Sequence, residues 1–106
     1  MTQRVYSVSG LNIQIVKTNP LGLAIQVEGE VSTPGWTGFA LSHYVYVNPP
    51  ADGIYEADMM GVPPSGNVIQ VITPFCHDET WAPFPEEHLK GLKVYSATNS
   101  VTAMLL

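Results

Sequence analysis

The chain has 106 residues, 45% of them apolar and only 12% charged, with four Lys and Arg against nine Asp and Glu and a formal charge of −5. That length suits one domain, and the hydrophobicity excludes intrinsic disorder. So few cations argue against nucleic acid or an anionic membrane surface as partner, since both require clustered Lys and Arg.

Alternation of apolar and polar residues dominates the chain. Leu11, Ile13 and Ile15 alternate with Asn12 and Gln14; Leu23, Ile25, Val27 and Val31 alternate with Gln26, Glu28 and Glu30. A period of two places each set on one face of a half-buried strand. Strands are expected at about 3–8, 11–17, 22–31, 36–47 with a break near Ser42, 53–61, 67–75, 92–98 and 101–105. Asn19-Pro20-Leu21-Gly22 reads as a type I turn joining the second and third into a hairpin. Thr33-Pro34-Gly35, the stretch 48–53 and the stretch 62–67 are further breaks, because Pro cannot donate to a central ladder. Residues 74–91 read as the longest irregular piece, with one short helical turn at Pro85-Glu86-Glu87-His88-Leu89-Lys90 that stops at Gly91. Thr98-Asn99-Ser100 reads as a tight turn. Many short alternating strands imply an all-β fold, an antiparallel two-sheet sandwich of immunoglobulin-like architecture, with a small closed barrel as the alternative.

The string Pro34-Gly35-Trp36-Thr37, then Pro49-Pro50-Ala51-Asp52-Gly53-Ile54-Tyr55-Glu56-Ala57-Asp58, then Pro63-Pro64-Ser65-Gly66 resembles a group of small bacterial proteins of uncharacterised function. Gly91-Leu92-Lys93-Val94 and Thr98-Asn99-Ser100 continue the likeness, which runs over about 22–100. The resemblance implies a free-standing bacterial domain and brings no catalytic residue with it.

Chemistry-bearing residues are sparse. Cys76 is the single cysteine, which excludes an internal disulfide and suits a reducing cytoplasm; no secretory signal is visible at the start of the chain. Cys76 and His77 are adjacent, so on a strand they point to opposite faces and do not pair as a thiol catalyst. His77, Asp78 and His88 are the ligand set for a metal-binding or enzymatic alternative, although their spacing matches no zinc motif. No cofactor is expected: Gly35 and Gly38 lack the other elements of a phosphate cradle. Glu56 and Asp58 share one face of a strand; they read as its wet side, opposite Tyr55, Ala57 and Met59, rather than as a glycosidase pair.

The aromatic set Trp36, Tyr44, Tyr46, Tyr55 and Trp81 supports a non-enzymatic binding or structural module, presenting an acidic, aromatic surface to a protein, peptide or carbohydrate. Loops 32–38, 48–53 and 76–90 are expected to carry contacts, with Trp81, His77 and Asp78 as the leading residues and Trp36 and Asp52 behind them. Trp36 reads as a core anchor and Trp81 as a surface residue. The run from Val101 to Leu106 and the stretch Tyr44-Val45-Tyr46-Val47 are apolar on both faces, which implies a homo-oligomer, most simply a dimer, or a subunit of a larger homomeric assembly.

Overall fold

A computed structural model of the chain describes residues 2–105. Met1 and Leu106, the last residue of the apolar C-terminal run, lie outside the described residues. The alternation predicts strands, and strands are what form: β1 (Gln3–Arg4), β2 (Ser7–Val16), β3 (Gly22–Val31), β4 (Thr37–His43), β5 (Ile54–Val62), β6 (Thr73–Trp81), β7 (Gly91–Tyr95) and β8 (Ser100–Met104). They build two sheets and no closed barrel. One sheet holds β2, β3 and β6 with β3 central; the other holds β1, β4, β5, β7 and β8.

In the larger sheet, β4 lines one side of β5. On its other side, β7 pairs with the first half of β5 and β1 with the end, and β8 completes the sheet beyond β7. Every pairing is antiparallel except β5 with β7. The exception follows from connectivity. The chain leaves β5, runs back through β6 in the opposite sheet, and returns beside β5 in its original direction.

The core lies between the sheets. Leu23, Ile25 and Val27 of β3 are buried with Tyr55, Ala57 and Met59 of β5 and Leu92 and Val94 of β7. Each set has the predicted period of two. Trp36 is buried as expected, with its indole N–H donating to Thr33 Oγ1 at 3.2 Å. On one flank β2 approaches β8, and on the other β4 approaches β6.

Four sequence expectations are corrected. The strand expected at 67–75 forms at Thr73–Trp81, because β3 offers partners only to Val31, which pairs with Thr73. Residues 76–81 are therefore strand and not loop. The first expected strand splits at Val5, where the chain crosses from one sheet to the other. Gly22 already pairs with Val16, so the hairpin loop is 17–21 and the Asn19-Pro20 bond within it is cis, not the type I turn expected at 19–22. Finally, the strand from 36 ends at His43, and Tyr44–Val47 lies outside both sheets. The short turn after Pro85 is present, with Leu89 N–H donating to Pro85 C=O at 2.9 Å.

Candidate functional site

The five expected contact residues do not form one rim. Period two on β6 sends Phe75, His77, Glu79 and Trp81 inward and Cys76, Asp78 and Thr80 outward, so Asp78 is on the opposite face from His77 and Trp81. Asp52 precedes the first residue of β5, where its carboxylate accepts the Ile54 N–H at 3.0 Å. Trp36 precedes Thr37, which pairs with Val62 at the far end of β5. The nine residues of β5 separate the two by about 27 Å. Loops 48–53 and 82–90 do meet, since Gly53 C=O accepts from Lys90 N–H at 2.7 Å, but loop 32–36 is at the other end. Gly53 has a φ of +75°, and a Cβ there would stand 2.9 Å from His88 O, so the close approach requires glycine.

Trp81 is a packing residue. It stacks on His43 at 4.2 Å between centroids and meets Tyr55 edge-on at 6.1 Å. Below it, Glu79 bridges the flank between β4 and β6. Its Oε1 accepts the Leu41 backbone N–H at 3.0 Å and lies 2.8 Å from His77 Nε2, while Oε2 is 3.8 Å from His43 Nε2. His43 Nδ1 is buried with no hydrogen-bond partner among the described residues. Burial lowers the His43 pKa from its ordinary value, against the opposing pull of Glu79. His88 sits in the turn after Pro85, away from this flank. Among the described residues no group of three His, Cys, Asp or Glu side chains is placed to hold a metal ion, and His77, Asp78 and His88 are not brought together.

The aromatic and acidic side chains converge elsewhere, on the outer face of the larger sheet. Glu56 and Asp58 of β5 project there as expected, and Lys93 and Tyr95 of β7 project beside them in register, Glu56 with Lys93 and Asp58 with Tyr95. Tyr44 and Tyr46 arrive from the irregular segment after β4. Tyr46 donates to Glu56 Oε1 at 2.9 Å, Tyr95 donates to Glu56 Oε2, and Tyr44 donates to Asp58 Oδ1 at 2.9 Å. Arg4 pairs with Asp58 at 3.0 Å. Tyr44 and Tyr95 stack at 5.9 Å, and the Arg4 and Lys93 cations lie 5.8 and 5.0 Å from the Tyr95 ring centre.

This network shifts its own acidities. Hydrogen bonds from Tyr95 and then Tyr46 hold the Glu56 carboxyl below its ordinary range. Desolvation, then the bond to Glu56, pushes Tyr46 up to about 12. Tyr95 is raised mainly by its bond to Glu56, and Tyr44 by desolvation and then Asp58. Glu56 therefore stays ionised and the three phenols of the network stay neutral across the physiological range. The arrangement can present ordered aromatic rings and charges, and it contains no activated nucleophile.

Sequence reasoning missed Arg4, Lys93 and Tyr95. Only Tyr95 carried a signal, as an aromatic residue in an alternating strand; its proximity to Glu56 depends on the β5–β7 pairing, which no local pattern reveals.

The smaller sheet carries a depression of about 420 Å³, lined by Asn12, Gln14, Gln26, Asp78 and Thr80 together with apolar residues that include Ile13 and Ile25. Asn12 Nδ2 donates to Gln26 Oε1 at 3.3 Å across the β2–β3 pair.

Comparison with known proteins finds no matching family model, no matching curated protein and no matching solved structure.

Proposed function

We propose that this protein is a non-enzymatic binding module whose recognition surface is the outer face of the larger sheet, and that it takes a polypeptide partner there. The observation that supports this most is the set Tyr44, Tyr46 and Tyr95 pinned by Glu56 and Asp58. Tyrosine gives a large amphipathic contact at low entropic cost. Rings already held by carboxylates lose little further freedom on binding. Charges of both signs, from Glu56, Asp58, Arg4 and Lys93, can pair with backbone and side-chain groups of a peptide. In this reading the scaffold is immunoglobulin-like in architecture, a bacterial domain working in the cytoplasm, where the lone, exposed Cys76 stays reduced.

Panning a displayed random-peptide library against the intact chain tests it. Selected peptides should lose affinity by about tenfold or more, about 1.4 kcal/mol, on Tyr95→Ala. Equal loss on Thr80→Ala, on the other sheet, would move the site; no enrichment at all would reject a peptide partner.

The amide-rich depression around Gln26 and Asp78 favours a second reading, a carbohydrate ligand, because its side chains offer donors and acceptors together. A glycan array separates the two: glycan binding abolished by Gln26→Ala and untouched by Tyr95→Ala supports the second.

A further inference from the structure

Segment 67–72, Asn67-Val68-Ile69-Gln70-Val71-Ile72, has the composition of a strand but no strand beside it. It leads directly into β6 and overhangs the end of β3, whose last partner contact is Val31 with Thr73. Ile69 is 72% exposed and Val71 51%, with Ile72 and Val68 also open to solvent. Among the described residues, its backbone makes one hydrogen bond to other backbone, Val71 N–H to Ile69 C=O at 3.1 Å. That bond closes a tight turn at Gln70, and Val71 C=O accepts the Thr73 hydroxyl at 2.9 Å; with the turn opened, this aliphatic backbone is a template for strand addition.

We propose that this segment is the self-association surface of the protein, pairing antiparallel with the same segment of a second copy about a two-fold axis at Gln70. The occupant follows from the residues. A two-fold contact must match itself, residue i meeting j and j meeting i. Centred on Gln70, the segment does: Ile69 faces the partner's Val71, Val68 faces the partner's Ile72, and the two Gln70 amides meet on the axis. Shifting the register by one residue sets Gln70 against Ile69 and loses the match. Charge points the same way. Each copy carries −5, yet no Asp, Glu, Lys or Arg occurs between Asp58 and Asp78, so two copies can approach here without carboxylates opposing each other. The two surfaces expected from sequence are poorer choices: Val101 and Leu105 of the C-terminal run pack against the core, and in Tyr44–Val47, although Val45 and Val47 are fully exposed, both tyrosines are already tied to the carboxylates of the proposed recognition face. This surface is independent of the tyrosine face.

Sedimentation equilibrium of the intact chain over a range of micromolar concentrations should show a dimer. Ile69→Lys should weaken it by about tenfold or more. Val47→Lys, at a position just as exposed, should not. In a Cys76→Ser background, Gln70→Cys should give a covalent dimer on mild oxidation with diamide, and Val47→Cys should not. A monomer at every concentration, or a dimer that survives Ile69→Lys unchanged, overturns the proposal. If Ile69→Lys loses its β circular dichroism, the Gln70→Cys cross-link decides alone, and its absence overturns the proposal.

Discussion

Glu56 shows how a polar residue becomes structural. It accepts from two tyrosines brought from different parts of the chain, Tyr46 and Tyr95. The pKa shifts set the sign of its pH dependence. Tyr46 is raised from 10.0 to about 12, so its contribution is complete below pH 10 and is lost as the pH climbs toward about 12. Glu56 is lowered, so its contribution is present above the ordinary carboxyl value of 4.5 and disappears as acid protonates it. Glu56→Gln should therefore return the Tyr46 phenol toward 10, read by ultraviolet titration of phenolate, and should flatten the stability profile at both extremes. His43 acts in the opposite part of the scale. It is held below 6.5 by burial, so the neutral ring suits the fold and acidification below 6.5 costs stability. His43→Gln should remove that loss, seen as a smaller drop in denaturant midpoint between neutral and mildly acidic buffer. That Glu56 and Asp58 share a face was legible from their spacing; that phenols would satisfy them was not, because two of the three come from segments with no predictable direction.

At the level of elements, β6 is the instructive strand. Its inward face is Phe75, His77, Glu79 and Trp81, half polar, so the alternation that betrays other strands is masked. The neighbouring aliphatic run at 67–72 shows the pattern more clearly and yet has nothing to pair with. Pro74 is tolerated because β6 is an edge strand. Trp81 belongs to this element's packing, so Trp81→Ala should lower unfolding free energy by about 2 kcal/mol, less than a fully buried tryptophan would cost. An unchanged melting temperature would show that the ring contributes little. Gly29 of β3 is the other pinch point. A Cβ there would come within 2.2 Å of Ser7 O and 2.9 Å of the Phe75 ring, so Gly29→Ala must displace backbone. A loss of at least about 1–3 kcal/mol, by chemical denaturation, is the expected result.

For the whole molecule, the two sheets are joined by polar contacts as well as by oil. The turn before β8 reaches across to the start of β2: Asn99 Oδ1 accepts the Val8 N–H and Asn99 Nδ2 donates to the Val8 C=O, both at 2.9 Å. Ala97 N–H donates to Val5 C=O beside them at 2.8 Å. Asn99→Ala should cost about 2 kcal/mol, since it strands a backbone donor and acceptor on a largely buried residue. Two-state denaturation with an unchanged m-value checks it. No helix is long and apolar enough to cross a membrane among the described residues.

By itself the sequence determined the class of fold, the extent of β3 and which of its side chains face inward, because a period of two is a local property of an extended chain. It also determined that Trp36 would be buried and that Glu56 and Asp58 would stand together. The tertiary structure alone decided where β6 begins, which ends of β5 the loops decorate, and that Tyr95 would lie beside Glu56. Those outcomes depend on which strand supplies the hydrogen-bonding partner, and that partner is distant in the chain, so no window of neighbouring residues contains the information.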